Sequence, residues 1–449
     1  MATRMLALAV EVNMSSVAAG KAEVQKKCST DSDQAETGWR LLQIPDLRWL
    51  WIGQAVSQIG EGLNKVALLY LVYNLTGSTL MMTVIGILET LPPLILGPLL
   101  GVYIDRFPKK WVMMAVDTLR AGLALIIPVL YGANVLTLPP VYIVVFVMAV
   151  VGTVFGPALA ATVPLVVQRT QLVPANALVG STAMLAMLIG PALSGLGIAT
   201  MGMQVVLYVS SVTFFLSVLA LSRLHLTTAQ SQGRSGEGFI TELKQGLRFA
   251  FIEKRTIAGL IGAALCYSLA SSAFVFLLPV FSDKVLHVGA MMLGWLWSAY
   301  GAGMVSVSVI LACMKQQKRS TQLAIIAGAM VAGGLASFML AETSDAVLSM
   351  GLVAIIGAGL AAFTPVMWGL LQDMTPEELR GRIFSIFNTG AMSASMLGMV
   401  AFGWGTDRLG PQISLVAMAV IFWLTAVISL LVRQFAHLES QTLNGVAGA

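Results

Sequence analysis

The chain has 449 residues, of which 57% are hydrophobic and only 10% charged, against roughly 25% charged in an average soluble domain. This composition excludes a soluble enzyme and places the chain among integral membrane proteins, so the number of bilayer-length apolar runs decides the architecture. The net charge of +5 follows from how Lys and Arg divide between loops, and no nucleic-acid partner is expected. Residues 1–46 are polar and of mixed charge, as in KAEVQKKCSTDSDQAE, and are expected to form a disordered cytoplasmic tail. The opening MATRMLALAVEV imitates a signal peptide, but Glu11 interrupts its apolar core, and cleavage is not expected. Apolar runs then follow near 49–73, 80–104, 111–132, 139–167, 175–200 and 204–222. A polar connection at 223–255 separates them from runs near 256–282, 290–314, 321–341, 346–371, 384–406 and 412–433, and 434–449 is a second cytoplasmic tail. The expected fold is all-α: twelve transmembrane helices in two six-helix halves, 47–222 and 256–433.

Placing the N-terminus inside leaves only Lys284 and Arg408 outside and Lys65 and Arg120 within spans, every other Lys and Arg being cytoplasmic. The positive-inside rule therefore puts both termini in the cytoplasm of a multi-pass protein of the cell membrane. External connections such as NLTGST and MGMQ are too short for a soluble catalytic domain, so function belongs inside the bundle. Cys28, Cys266 and Cys313 are odd in number and predict no disulfide. His225, His287 and His437 lack metal-ligand spacing and no phosphate-binding loop is present, so no cofactor, metal or ATPase activity is expected.

The first span raises the sharpest chemical question. Gln54, Ser57, Gln58, Glu61, Asn64 and Lys65 fall within a sector of about 120° at 3.6 residues per turn, with Ile52, Val56, Ile59, Leu63 and Val66 opposite. Glu61 lies about 18 Å from the cytoplasmic end, near mid-membrane, and Glu89 on the second span reaches a similar depth. Mid-membrane charges are costly and call for partners. Glu61 and Lys65, one turn apart, are read either as a structural ion pair or as a functional carboxylate with its modulating base. Asp117 and Arg120 on the third span are read first as a structural pair. These five charges belong to the first half. The second half offers Tyr267, Trp295, Tyr300 and Asn388, either as packing residues or, with Gln54, Gln58 and Asn64, as the lining of a substrate cavity. The echo between VVQRTQLVPANAL (166–178) and LLQDMTPEELRGR (370–382) suggests duplication, and Thr375, Pro376 and Glu378 predict a short surface helix.

Further along the chain, GPLLGVYIDRFPKKW (97–111) places Gly101, Asp105, Arg106, Lys109 and Lys110 at the cytoplasmic boundary. This segment resembles the signature loop of the major facilitator superfamily. LRWLWIGQAVSQIGEGL (47–63), DTLRA (117–121), LVPANAL (172–178) and ELRGRIFSI (378–386) are similar to an efflux branch containing enterobactin-type siderophore exporters and macrolide exporters. The resemblance covers about 49–433. It implies that Asp105 forms a conformational latch against the N-terminal end of the eleventh span, near Phe384, with Arg106 tying neighbouring helices. A contact of that kind is worth roughly 0.3–1 kcal/mol. It also likens IGPALSGLG (189–197) to the antiporter signature, with Gly190, Pro191 and Gly195 as hinge and packing residues and Ser194 where glycine is common. The fourth span carries no charge where many proton-coupled relatives carry arginine, which implies no coupling route there.

Together these readings describe a monomeric secondary transporter that exports an amphipathic small molecule of the drug, macrolide or siderophore class by alternating access and proton antiport. Its expected partners are substrate, protons and the lipid bilayer. A same-fold uptake carrier or lipid flippase, or a non-transporting sensor or assembly partner, is the alternative.

Overall fold

A computed structural model describes residues 38–104, 107–168, 171–225, 255–314 and 318–447. A membrane-buried backbone must satisfy its polar groups within its own segment, and uninterrupted apolar runs do so as helices. The described residues accordingly form helices and no strand: α1 (Pro45–Thr76), α2 (Thr79–Ile104), α3 (Lys109–Gly132), α4 (Leu138–Gly152), α5 (Phe155–Val166), α6 (Leu172–Met201), α7 (Met203–Ser222), α8 (Arg255–Lys284), α9 (Ala290–Cys313), α10 (Arg319–Glu342), α11 (Ala346–Met374), α12 (Glu377–Leu409) and α13 (Pro411–Ala447). Eleven spans among the described residues are long and apolar enough to cross a bilayer, α4 and α5 together making one of them. The polar face of α1 keeps it out of that group, although its 32 residues extend about 48 Å. The protein is a multi-pass membrane protein.

Packing repeats between the halves. α1 lies on α6 and α7, α3 on α7, and α2 on α4; correspondingly α8 lies on α12 and α13, α10 on α13, and α9 on α11. The halves meet mainly through α6 against α9 and α12 against α2. At the first of these seams a Cβ on Gly195 would fall 2.7 Å from the Gly294 Cα, so the two backbones touch and neither position has room for a side chain. Ser194 donates to the Leu63 carbonyl at 3.1 Å and Ser298 to the Leu188 carbonyl at 3.1 Å, satisfying hydroxyls that lipid could not.

The α2–α12 seam includes a polar contact on the face opposite the chain termini. Asp407, at the end of α12, accepts from the Thr79 N–H at 2.6 Å, the Leu80 N–H at 3.1 Å and the Ser78 hydroxyl. It thereby satisfies orphan donors in the first turn of a helix from the other half, where the helix dipole favours negative charge. Nearby, the Tyr73 hydroxyl on α1 donates to Asp283 on α8 at 2.8 Å.

Several elements differ from the sequence expectation. Gly38–Gln43 forms a 3-10 helix with Leu41 fully buried, so this end of the expected tail is docked, its Leu41 packing with Leu47, Leu50 and Leu224. The expected surface helix near 375–382 is no separate element: α12 starts at Glu377 and continues through the span, Thr375 making no capping bond. α13 extends past the expected end at 433 to Ala447. The fourth span breaks at Thr153–Val154, where Val154 N–H reaches back only three residues to Val151 at 3.4 Å. Pro157 has no N–H to offer the Thr153 carbonyl, so the regular ladder cannot run through.

Candidate functional site

The charged residues of α1, α2 and α3 converge, but not with the partners their spacing suggests. Lys65 Nζ lies 3.2 Å from Glu89 Oε2 on α2, and Arg120 Nη1 on α3 lies 2.5 Å from Glu61 Oε1. The one-turn Glu61–Lys65 pair is thus replaced by two pairs between helices. Glu89, which has no base within one turn of its own helix, gains Lys65 from α1. Helix packing brings these ends together more closely than one turn of α1 does.

Arg120 is shared between two acids. Its Nη1 is also 3.8 Å from Asp117 Oδ1, one turn earlier on α3. Asp117 is fully buried and accepts hydrogen bonds from the hydroxyls of Ser217 on α7 at 2.6 Å and Ser57 on α1 at 3.4 Å. The guanidinium carbon sits 5.7 Å from the Phe155 ring and 5.8 Å from the Phe214 ring, within cation–π range. A Cβ on Gly152 would collide with the same guanidinium. The break between α4 and α5 is therefore a notch that receives Arg120. Gly152, Phe155 and Phe214 escaped the sequence reading, although Gly152 followed by Pro157 in an apolar span marks such a break.

Glu61, Lys65 and Glu89 keep 45%, 46% and 33% of their side-chain surface accessible, and they face two adjoining cavities. One, of about 310 Å³, lies within the first half and is bounded by Glu61, Asn64, Lys65, Glu89 and Arg120, with Thr153 and Phe214 opposite. The other, of about 290 Å³, lies between the halves, where Lys65, Glu89 and Thr90 face Ser272 and Phe276 of α8 and Met392 and Ser395 of α12. The Lys65–Glu89 pair belongs to both. Each cavity is near the lower size limit for small-ligand sites.

The remaining sequence candidates distribute differently. Gln54 and Asn64 are buried, and Asn64 Oδ1 accepts from Ser210 on α7 at 3.4 Å. Gln58 lines neither cavity. Tyr267 stacks on Phe363 with ring centroids 3.9 Å apart and donates to the Leu360 carbonyl at 3.0 Å, while Tyr300 packs between Phe274 and Trp297. Trp295 and Asn388 are exposed away from both cavities. Gly190 of α6 rests against Gly62 of α1 and Pro191 lies within α6, so the signature segment joins α1 to α9 through backbone contacts. Lys110 donates to the Ser222 and Leu224 carbonyls, both at 2.7 Å, closing the end of α7. Lys109 lies in the first turn of α3 and Gly101 in the last turn of α2. Asp105 and Arg106 lie outside the described residues.

The sequence matches the family described as transmembrane secretion effector, of the major facilitator type, over residues 36–446. It is 26% identical to multidrug efflux pump Tap of Mycobacterium tuberculosis over 399 residues, 86% of this chain and 92% of that protein. It is 23% identical to macrolide efflux protein A of Streptococcus pyogenes over 363 residues, 80% of this chain and 89% of that protein. Among solved structures, nucleoside transporter NupG superposes with a TM-score of 0.65 at 14% identity, over 86% of this chain and 98% of that one. A bacterial homologue of the iron transporter ferroportin, in an inward-facing state, gives 0.66 at 14%, over 87% and 99%. At these identities the structural likenesses concern the fold alone.

Proposed function

The chain belongs to the transmembrane secretion effector family, and from that premise we propose that it exports amphipathic drug-class small molecules across the cell membrane by alternating access, in exchange for protons. The observation that carries the reading is the pair of interhelical ion pairs facing the two cavities. Both efflux relatives support the direction of transport. Both termini lie in the cytoplasm, a placement supported by the Lys and Arg asymmetry.

The coupling follows from what each carboxylate holds. A proton on Glu61 removes its attraction for Arg120, which then answers to Asp117 alone, and Asp117 is bonded to α1 and α7 through Ser57 and Ser217. A proton on Glu89 frees Lys65 and uncouples α1 from α2, the helix that forms a seam with α12. Substrate entering beside Glu61 or Glu89 displaces the proton and re-forms the pairs in the other state. The likeness of GPLLGVYIDRFPKKW to the superfamily's signature loop supports a latch role for Asp105 and Arg106 beside this coupling.

Flux in proteoliposomes, with and without an imposed pH gradient, tests the scheme. Glu61→Gln is expected to insert and bind substrate yet lose gradient-driven transport, and Glu89→Gln to lose a comparable share because it too holds a base. Full response to the gradient in both variants would remove these residues from coupling. For orientation, an impermeant thiol reagent outside intact cells should label Lys284→Cys and miss Cys28; the reverse pattern would invert the topology.

A further inference from the structure

The wall that the second half presents to the inter-half cavity has an unusual hydrogen-bonding character. Its neutral polar groups, with those of the facing first half, are Thr90, Ser272 and Ser395. Thr90 Oγ1 is 2.7 Å from the Gly86 carbonyl, Ser272 Oγ is 3.2 and 3.0 Å from the Leu269 and Ser395 carbonyls, and Ser395 Oγ is 3.4 Å from the Ser268 carbonyl. A carbonyl oxygen carries no proton, so in every one of these bonds the hydroxyl is the donor. Each hydroxyl has a single proton, which is committed to the backbone, and what remains for a guest is lone pairs.

The rest of the lining deepens the same bias. Met392 and Met399 add polarizable thioethers, which are weak acceptors and adapt to irregular shapes. Phe276 is apolar, and its ring tip occupies the space a Cβ on Gly86 would need, so it adds to the lining without offering a polar atom. Apart from the three hydroxyls, whose protons are committed, the donor side chain in the lining is Lys65, and it already faces the Glu89 carboxylate at 3.2 Å. A guest carboxylate would have to compete with Glu89 for that ammonium. A guest N–H instead finds three hydroxyl oxygens with free lone pairs, and beside them a Glu89 carboxylate of which Oε2 alone faces Lys65.

We propose that this cavity selects lipophilic molecules bearing a protonated N–H group, with Thr90, Ser272 and Ser395 as specificity-determining acceptors and Met392 and Met399 as adaptable apolar support. The inference rests on the export reading above, but it concerns recognition and is tested by binding. Charge alone does not satisfy it: a quaternary ammonium brings the same charge and no hydrogen to donate.

Three probes sharing one aromatic body separate these properties: a naphthylmethyl dimethylamine protonated at neutral pH, its quaternary trimethylammonium analogue, and the neutral naphthyl dimethylamide. Equilibrium dialysis against the full-length protein in detergent should place the protonated amine first, the quaternary analogue about three- to tenfold weaker, as expected for one lost hydrogen bond, and the amide last. Ser272→Ala combined with Ser395→Ala should bring the amine down to the quaternary analogue while leaving the latter unchanged, and Thr90→Val should act in the same direction. Equal binding of amine and quaternary analogue by the unaltered protein overturns the proposal, as does tightest binding of the amide or an amine preference that survives both the serine double variant and Thr90→Val. Probes that bind in the expected order but do not move across proteoliposomes would sink the export reading and leave the recognition rule standing.

Discussion

In the first half, three carboxylates and two cations are held at the depth of the bilayer by two interhelical ion pairs, an arginine notch and a set of serine hydroxyls. The second half repeats the packing plan and fills the corresponding interior with Phe274, Tyr300, Trp297, Phe363 and Tyr267, using stacked rings and single hydroxyl-to-carbonyl bonds. The same arrangement of helices is thus stable with charge or with aromatic packing between them. What differs is the kind of change each can undergo. Ion pairs can be broken by a proton and re-formed with another partner, whereas packed rings have one low-energy arrangement. On the proposed coupling, the first half changes its pairing and the second gives it a fixed surface to work against.

Arg120→Ala tests this contrast most severely. It strips Glu61 of its partner and leaves fully buried Asp117 without a cation, for an expected loss of about 3–5 kcal/mol, read as a large drop in thermal stability of the purified protein. Adding Asp117→Asn to an Arg120→Met variant should recover much of that loss, since the isolated charge is gone. No recovery would mean that Arg120 acts through its ring contacts. Asp407→Asn comes next, at about 1.5 kcal/mol, the low end for hydrogen bonds to a charged acceptor because Asp407 is solvent-exposed. In a background with Cys28, Cys266 and Cys313 replaced by serine, a Met392→Cys reporter should then react with an impermeant thiol reagent from outside roughly tenfold faster. An unchanged rate would show that the seam does not govern entry from that face. Tyr267→Phe is the smallest, about 1 kcal/mol for one neutral hydrogen bond, with the ring stack intact and transport unaltered. If it costs as much as Arg120→Ala, the division between the halves fails.

Most of the fold was legible because long apolar runs admit one structure in a bilayer, and the stripe on α1 was legible because helical periodicity groups polar residues on one face. Pairing was not. Sequence distance favours Glu61 with Lys65, but the crossing of α1 with α2 and α3 decides which charges meet, and nothing local encodes that crossing. The break in the fourth span was available in Gly152 and Pro157. In the second half, Tyr267 and Tyr300 are covered by the rings of their own half; around Phe276 the cavity wall is built from Ser272, Ser395, Met392 and Met399, types that carry little signal in an apolar helix. The Thr375 capping pattern fitted locally and lost to the continuation of α12.

The contact made by Asp407 has a consequence for how the chain tolerates change. Two of its three donors are main-chain amides, at Thr79 and Leu80, and every residue except proline supplies one. Substitutions in the first turn of α2 therefore leave those two donors in place, while the acceptor depends on one side chain. A saturation screen for leaky closure should find its hits crowded at Asp407, at proline substitutions opposite it, at Ser78 and at fully buried Thr79, with the half-buried side chain of residue 80 largely silent.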